Sequence, residues 1–391
     1  MPNTKRARKL AFIDDFNIFS TDVITPPLFA QLTSRHGLDV RCLVPTYRKG
    51  ANTNGIPPGA VEFVWNSANY PFKIFSTLRK ENRKEVMLFL EQGTFGPPPA
   101  LLLLPFLILL CRLAGCRILI NLQGIVPLDD FKDAIEILIP RTRIPRASLK
   151  AVLFAVYSST FKLADQIQVY APTFGRWVLE YGDFREKLRL VSAGVADPQP
   201  HKAPPSISSQ YILAFGHVVR RKGLDDAVVA WSEIHALYPN LKLVIAGSTS
   251  KDPEYVDRLR SLISTNNLSM AVQMVGAVSM EAMHALFDNC LAVIFPYIYS
   301  DSASGPVCTA LQHRKPVIAS KVGLFKDLFA NGGAVFCDPR NPNSIADAVS
   351  SLLNSRELMT EVSSKISDLA KSLNWVNVGD RFFELLSEVD D

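Results

Sequence analysis

Short apolar runs alternate with amphipathic stretches along the whole chain. Seven runs in the first half have the length and composition of strands, at positions 9–13, 39–44, 62–65, 86–90, 117–122, 166–170 and 188–191. A regular alternation of strand, turn and amphipathic helix favours a parallel sheet with helices on both faces. The first half is therefore predicted to form one α/β sheet.

The same alternation restarts in the second half. Strands are predicted at 211–215, 242–246, 272–275, 292–295 and 316–319, and helices at 224–238 and 280–287. Between the halves, the stretch 196–209 is rich in proline and serine and lacks apolar periodicity, which is typical of a linker. We therefore predict an α/β fold of two Rossmann-like domains facing across a cleft, with ligands beyond the carboxyl ends of the strands. The predicted parts are residues 1–200, residues 201–375, and a C-terminal helix over 376–391 that can return to the first domain.

Composition narrows the classes of protein to consider. Of the 391 residues, 48% are hydrophobic and 20% are charged, which is ordinary for a globular protein with a large core. The net charge of +5 is too small to indicate nucleic-acid binding. The six cysteines lack the spacing of a disulfide framework or a zinc site, so a reducing cytoplasm is expected. Asp14 and Asp15 interrupt the first apolar run, so no secretory signal is predicted.

A group of basic residues follows the first strand of the second half. The strand ends at Gly216, His217 comes next, and the consecutive cations Arg220, Arg221 and Lys222 precede the helix. Basic side chains at the carboxyl end of a parallel strand point into the ligand cleft, where a diphosphate would neutralise them. The alternative is a solvated basic turn.

A polar loop follows the strand at 292–295. Pro306 is predicted to open a helix with Ser304 as its cap, so the backbone N–H groups from Ser304 to Val307 would be unpaired and directed at the cleft. A helix start of this kind binds phosphate. Asp301, in the loop, is suited to accept hydrogen bonds from sugar hydroxyls. The alternative is an ordinary capped helix.

These segments, in this order, resemble one known family. The basic turn is followed by LVIAG at 243–247, VGAVS at 275–279, IFPY at 294–297, SASGP at 302–306 and KPVIASKVG at 315–323. Over 211–375, this order and spacing look like the C-terminal half of the retaining, nucleotide-sugar-dependent glycosyltransferases of the GT-B fold (group 1, family 4 type). In the first half, NLQGIVP at 121–127 and LADQIQVYAPT at 163–173 resemble two further strands of that family.

The resemblance implies a role for each residue that matches the family's motifs. The predicted catalytic residues are Lys222 and Arg220, which would stabilise a leaving diphosphate, and Asp301, which would hold the sugar. The other predicted residues of the nucleotide-sugar site are Gly216, His217, Arg221, Gly247, Val278, Ser302, Ser304, Gly305, Pro306, Val307 and Thr309. The predicted acceptor-side residues are Asp15, Asn17, Gln123 and Gly124. Retaining transfer would then need no protein nucleophile, and neither metal nor cofactor, because the cations take the charge of the diphosphate.

The sequence departs from the family's pattern in four places. Two glutamates that the family carries eight positions apart fall on Asp301 and Thr309, so the second carboxylate is missing. The first cation of the family's Arg-x-x-x-x-Lys pair falls on His217, and the histidine of its first domain falls on Gln123. A glycine-rich loop near the N-terminus is replaced by the sequence DDFN at 14–17. These departures affect what can be expected of the rate of turnover and of the sugar that is transferred.

Two features of the first half bear on the acceptor. The apolar run 100–111 is too short to span a bilayer and suits a buried or interfacial helix. The segment 137–156 interleaves Arg141, Arg143, Arg146 and Lys150 with apolar residues, and a basic amphipathic surface binds anionic lipid. One hypothesis is reversible attachment to the cytoplasmic face of a membrane, with a glycan or lipid-linked acceptor. The alternative is a core helix with solvated arginines.

Three functions fit these patterns. The first is a glycosyltransferase that elongates a glycan, polysaccharide or glycolipid, favoured by the basic turn and by Asp301. The second is a binding or scaffold protein with a glycosyltransferase-like fold that partners an active enzyme, favoured by Thr309 and Gln123. The third is a sugar-nucleotide enzyme of another type, such as an epimerase-like hydrolase.

Overall fold

The structure is a computed structural model of the 391-residue chain. It describes residues 7–14, 24–48, 56–91, 94–95, 98–129, 131, 144–198, 210–300 and 304–388. The chain divides into two compact units. Unit 1 contains the described residues of 1–194 and 375–391, and unit 2 contains those of 195–300 and 304–374. The predicted linker at 196–209 lies outside the described residues from position 199 onwards.

Unit 1 is built on a parallel sheet of seven strands in the order β3-β2-β1-β4-β5-β6-β7. The strands are β1 Lys9–Ile13, β2 Asp39–Pro45, β3 Val61–Trp65, β4 Glu85–Leu90, β5 Arg117–Leu122, β6 Gln166–Val169 and β7 Leu188–Leu190. The central strands are buried along nearly their whole length, which explains why they form continuous apolar runs in the sequence.

Helices cover this sheet. Those described are α1 Thr25–Ala30, which continues into a π-helical segment Gln31–Arg35, α2 Tyr70–Lys80, α3 Leu104–Leu113, α4 Arg146–Leu163 and α5 Pro172–Leu179. The apolar run predicted as one helix over 100–111 is divided. A 3-10 segment, Pro98–Leu103, leads into α3, because Pro105 favours the first turn of a helix and donates no hydrogen bond within it.

The last helix of the chain, α13 Trp375–Ser387, packs within unit 1. Arg35 forms an ion pair with Asp380, with 2.8 Å between Nε and Oδ1. The ring of His36 stacks on Phe383 at 4.1 Å between centroids, and Arg117 donates a hydrogen bond to the Leu385 carbonyl. The chain therefore returns to its first unit after completing the second.

Unit 2 is built on a parallel sheet of six strands in the order β10-β9-β8-β11-β12-β13. The strands are β8 Tyr211–Phe215, β9 Lys242–Ala246, β10 Val272–Gly276, β11 Ala292–Phe295, β12 Val317–Ser320 and β13 Ala334–Cys337. The strand β13 was not predicted, because it is short, half-buried at three of its four positions, and preceded by two glycines. The helices are α6 Leu224–Leu237, α7 Pro253–Thr265, α8 Met280–Asn289, α9 Gly305–Gln312, α10 Gly323–Leu328, α11 Pro342–Asn354 and α12 Arg356–Ser372.

Backbone segments approach each other very closely where β8 and β9 end. Gly247 follows β9 with φ of 147°, and its amide donates to the Gly276 carbonyl at 2.7 Å. A Cβ atom added to Gly247 would lie 1.8 Å from the Gly216 carbonyl oxygen. Only glycine fits at this position, and the absence of a side chain lets the two strand ends lie side by side.

The substitution Gly247→Ala tests this constraint. We expect it to lower the free energy of unfolding by about 2 kcal/mol or more, because it combines an unfavourable φ with a clash against backbone. Equilibrium denaturation in urea measures the change. The matched control is Gly276→Ala, since Gly276 also has a positive φ of 73° but an added Cβ there meets nothing within 4 Å. The control should lower the free energy of unfolding by about 1 kcal/mol. Equal decreases for both variants would show that the contact with Gly216 does not contribute to the cost.

Candidate functional site

Three neighbouring strands of unit 2 end in glycine at one edge of the sheet. Gly216 directly follows β8, Gly247 directly follows β9, and Gly276 is the last residue of β10. The Gly216 amide donates to the Ala246 carbonyl at 2.9 Å, so the strand ends remain hydrogen-bonded to one another past the last side chain. The result is a surface of bare backbone at the carboxyl edge, where ligands of parallel sheets bind.

The start of helix α9 lies beside the end of β8. A Cβ atom added to Gly216 would be 3.1 Å from Cγ of Pro306, in the first turn of α9. Ser304 occupies the N-cap position, as predicted, but its hydroxyl makes no capping hydrogen bond. The dipole of α9 adds positive potential at Ser304 and Gly305.

The prediction that the amides from Ser304 to Val307 are unpaired is wrong for Val307. Its amide donates to the Ser304 carbonyl at 3.0 Å, because this bond closes the first turn of the helix. Pro306 has no N–H to offer. Phosphate recognition at this helix start therefore depends on fewer backbone donors than the sequence indicates.

Lys222 is the buried cation of the basic turn. The 3-10 turn Arg220–Lys222 ends at Gly223, whose φ is 60°, and an added Cβ there would lie 2.0 Å from the Pro296 carbonyl oxygen. This close approach holds the turn against the end of β11. The Lys222 side chain is only 6% exposed, and its Nζ donates a hydrogen bond to the Tyr297 hydroxyl.

Tyr297 joins this lysine to the start of α9. Nζ of Lys222 lies 3.7 Å from the centroid of the Tyr297 ring, and the Tyr297 hydroxyl lies 3.4 Å from the Ser304 hydroxyl. Burial raises the pKa of Tyr297 to about 12, so the phenol stays neutral at pH 7. Sequence reasoning missed Tyr297, although its position just after a strand end places it at the ligand edge.

The two arginines of the turn differ from Lys222. Arg220 forms ion pairs with Asp252 at 3.2 Å and with Glu254 at 3.7 Å, and its guanidinium lies 5.9 Å from the Tyr255 ring centroid. Arg220 therefore already has carboxylate partners at the start of α7. The Arg221 carbonyl accepts a hydrogen bond from the Ile298 amide at 3.0 Å. The positive charge of the Arg221 guanidinium contributes to lowering the pKa values of His217 and Tyr297.

His217 is neutral at pH 7. Its pKa is lowered to about 4, mainly by burial and then by the nearby positive charges of Lys251, Lys222 and Arg221 in that order. His217 therefore occupies the place of the family's first cation without supplying a charge. The contributions of these three cations, beside that of burial, indicate positive electrostatic potential around His217.

Thr309 lies on the buried side of α9. Its hydroxyl donates to the Gly305 carbonyl at 3.1 Å, and its side chain is almost fully buried. The hydroxyl therefore serves the helix backbone. Asp301 and Ser302 lie outside the described residues.

The turn after β10 combines a cap with a core contact. Val278 is partly buried against the hydrophobic core of unit 2. Ser279 caps α8 by accepting a hydrogen bond from the Ala282 amide at 3.2 Å. Backbone of this turn borders the same carboxyl edge as Gly276.

The predicted acceptor side of unit 1 is partly described. Gln123 and Gly124 follow β5, and their amides donate to the Leu90 carbonyl at 2.9 Å and 3.3 Å. Asp15 and Asn17 lie outside the described residues. Asp14, at the end of β1, is buried and accepts a hydrogen bond from the Thr25 hydroxyl at 2.6 Å. Its carboxylate is therefore held at the carboxyl edge of this sheet.

Fold and site together define a class of protein with two Rossmann-like units, the second of which carries a positively charged, glycine-lined strand edge. Residues 199–368 match the family model for glycosyl transferases group 1. The predicted resemblance to this family and the predicted pair of Rossmann-like domains of the GT-B type are confirmed.

The chain is also similar in sequence to curated proteins. The chain is 24% identical over 237 residues to an uncharacterized glycosyltransferase of Methanocaldococcus jannaschii, covering 59% of this chain and 55% of that protein. It is 25% identical over 183 residues to a lipopolysaccharide 1,2-N-acetylglucosaminetransferase of Salmonella typhimurium, covering 44% and 47%. The chain thus spans about half the length of the curated relatives it matches.

Solved structures share the fold over nearly the whole chain. Sucrose-phosphate synthase of Thermosynechococcus elongatus superposes with a TM-score of 0.74 at 16% identity, covering 98% of this chain and 99% of that one. HepE of Anabaena in complex with UDP-glucose gives a TM-score of 0.75 at 14% identity, covering 97% and 100%.

The titration of His217 tests the buried, positively charged environment at this edge. In the ligand-free protein we expect its imidazole signal in NMR, assigned with His217→Gln, to titrate near pH 4. Since an unfolded histidine titrates near about pH 6.5, the folded state binds fewer protons between these values. The free energy of unfolding should therefore decrease as the pH falls through this window, and less so in His217→Gln.

Lys251→Ala provides the control for this titration. Lys251 is the largest of the charge effects on His217, so its removal should raise the pKa of that imidazole towards its ordinary value. A His217 that titrates near its ordinary pKa in the unaltered protein would contradict the assignment of a buried, positively charged environment.

Proposed function

We propose that this chain transfers a sugar from a nucleoside diphosphate sugar to an acceptor with retention of configuration. The observation that carries the proposal is the position of Lys222. Its ammonium is buried at the carboxyl edge of unit 2, against Tyr297 and close to the start of α9. A diphosphate is the ligand whose charge suits a buried cation beside a helix N-terminus.

The electrostatics of the edge support an anionic ligand. Burial is the largest cause of the lowered pKa of His217, and the charges of Lys251, Lys222 and Arg221 add to it, which indicates that the edge concentrates positive charge before any ligand arrives. An incoming diphosphate would neutralise this charge. It would also raise the pKa of His217, which could then be protonated and add a cation to the bound state.

The proposed chemistry depends on charge stabilisation and positioning. As the bond between the sugar and the diphosphate breaks, negative charge grows on the leaving diphosphate, and Lys222 with the start of α9 would stabilise it. The leaving diphosphate would take the acceptor proton on the face from which it departs, which preserves the anomeric configuration. Asp301 would hold the sugar hydroxyls. The cations would take the place of a metal ion at the diphosphate.

Arg220 has a smaller role in this proposal than in the sequence prediction. Its ion pairs with Asp252 and Glu254 would have to be exchanged before its guanidinium contacts a phosphate. We therefore assign the main catalytic charge to Lys222, with Arg221 as a source of positive potential.

The proposed acceptor is a glycan or a lipid-linked glycan bound by unit 1. Gln123 and Gly124 lie at the carboxyl edge of its sheet, next to the end of β4, where their amides hydrogen-bond to Leu90. Among the described residues, no helix combines the length and the apolar character needed to cross a bilayer. We include peripheral contact at the cytoplasmic face of a membrane in the proposal, because a lipid-linked acceptor must be met at that surface.

Donor binding is tested by thermal unfolding with UDP- and GDP-sugars. At a ligand concentration of about 100 times the Kd, binding adds about 2.7 kcal/mol of stability, so the Tm should rise by several degrees. Lys222→Ala should abolish the shift. Tyr297→Phe keeps the ring but removes the hydroxyl, so it should weaken binding by about tenfold or more.

Lys371→Ala is the matched control, because this lysine is exposed on α12 and pairs only loosely with Asp368 at 3.7 Å. It should leave the shift unchanged. If no nucleotide sugar raises the Tm of the unaltered protein, or if Lys222→Ala responds as well as the control, the donor site is not where we place it.

Turnover separates an enzyme from a binding or scaffold protein. The scaffold alternative gains support from Thr309, whose hydroxyl bonds to the helix backbone. We expect release of nucleoside diphosphate from at least one bound donor, faster with an acceptor present, and NMR of the product should show the anomeric configuration of the donor. Binding without release of nucleotide would favour the scaffold, and an inverted product would contradict the retaining mechanism.

A further inference from the structure

Helix α3 has two apolar faces. One face packs into unit 1 through the buried residues Leu104, Leu107, Ile108 and Cys111. A second apolar row points outwards and includes the preceding 3-10 segment: Leu102, Phe106, Leu109 and Leu113. Steps of three and four residues place Phe106, Leu109 and Leu113 on one side of α3. The members of the row are between 39% and 79% exposed.

The neighbouring helix α2 widens this apolar row. Phe72 is 62% exposed and meets Phe106 edge-on, with 5.5 Å between ring centroids. We call the surface formed by Phe72, Leu102, Phe106, Leu109 and Leu113 the α3 stripe. Contiguous exposed apolar surface of this kind marks an interaction site.

The helices that carry and flank the stripe bear charge of only one sign. Helix α3 packs against both α2 and α4. Together the three helices contain seven basic residues and no Asp or Glu: Lys73, Arg79, Lys80, Arg112, Arg146, Lys150 and Lys162. The whole chain has 42 basic and 37 acidic residues, so this is a strong local bias. Of the seven, Arg112 forms an ion pair with Asp165, which follows α4.

We propose that the α3 stripe docks on the surface of an anionic lipid bilayer. Its aromatic and leucine side chains would enter the boundary between headgroups and acyl chains, while the surrounding cations contact lipid phosphates. A symmetric contact with a second copy of the chain would bring two such positively charged surfaces together, which is unfavourable. An anionic membrane is the occupant that satisfies both the apolar and the basic residues.

This inference rests on the proposed function and adds to it the surface through which the chain binds a membrane. The stripe begins at Leu102, in the connection that follows β4, and so at the carboxyl edge of the sheet in unit 1. Gln123 and Gly124 lie at that same edge. Docking through the stripe would therefore bring the proposed acceptor side of unit 1 close to lipid-borne acceptors.

The test is co-sedimentation of the full chain with vesicles that contain no glycosyl acceptor. We expect binding to vesicles of phosphatidylcholine mixed with phosphatidylglycerol, weaker binding to phosphatidylcholine alone, and a decrease as salt is added. The double variant Leu109→Glu, Leu113→Glu should reduce partitioning onto the anionic vesicles by about tenfold or more. Leu109→Ser with Leu113→Ser should also reduce it, since the apolar contacts are lost without added negative charge.

The matched control introduces the same charges elsewhere. Leu237 and Met270 of unit 2 are 59% and 80% exposed, and Leu237→Glu with Met270→Glu should leave vesicle binding almost unchanged. The donor-induced shift in Tm should persist in every variant. This shows that the variants are folded and separates a failure of the lipid surface from a failure of the donor site.

Three outcomes would overturn the inference. The first is that the unaltered chain does not sediment with anionic vesicles. The second is that the unit 2 control loses as much binding as the Leu109 and Leu113 variants. The third is a lipid-free dimer that the Leu109 and Leu113 variants dissociate, without vesicle binding, which would assign the stripe to a second copy of the chain.

Discussion

The candidate site depends on the close approach of bare backbone at the carboxyl edge of unit 2. Gly247 lies against the Gly216 carbonyl, and Gly223 lies against the Pro296 carbonyl, at distances that a Cβ atom would not permit. The first contact aligns the ends of β8 and β9. The second holds the basic turn against the end of β11, and so brings Lys222 to Tyr297. A side chain at either glycine would separate segments whose proximity creates the site.

Burying a lysine at this edge has an electrostatic consequence. An ammonium removed from water is costly unless other groups solvate it, and here the Tyr297 hydroxyl and the face of its ring do so in part. Burial, together with the same positive potential, keeps His217 neutral. The ligand-free edge is therefore arranged for an anion, because its arrival would relieve repulsion among groups that the fold has already placed together.

Sequence reasoning succeeded where a local pattern decides the structure. Continuous apolar runs predict the buried parallel strands, and Gly216, Gly247 and Gly276 lie at the ends of three of them. It gave Arg220 and Lys222 the same catalytic role, since adjacent cations look alike in a sequence. Their environments come from other loops: Asp252 pairs with Arg220, whereas Tyr297, 75 positions away, accepts a hydrogen bond from Lys222. The short strand β13 was not predicted because it has too few buried positions to show a periodic pattern of apolar residues.

Helix α3 illustrates the same limit in unit 1. Its sequence is apolar on all sides, which is typical both of a helix buried in a core and of one at a membrane surface. Packing decides between them, because α2 and α4 flank α3 and leave the row from Leu102 to Leu113 uncovered. Exposed leucines neither stabilise the core nor increase solubility. The neighbouring helices α2 and α4 contain no acidic residue that would repel a negatively charged surface. The two apolar faces therefore have different physical roles, one stabilising the fold and the other available to a partner.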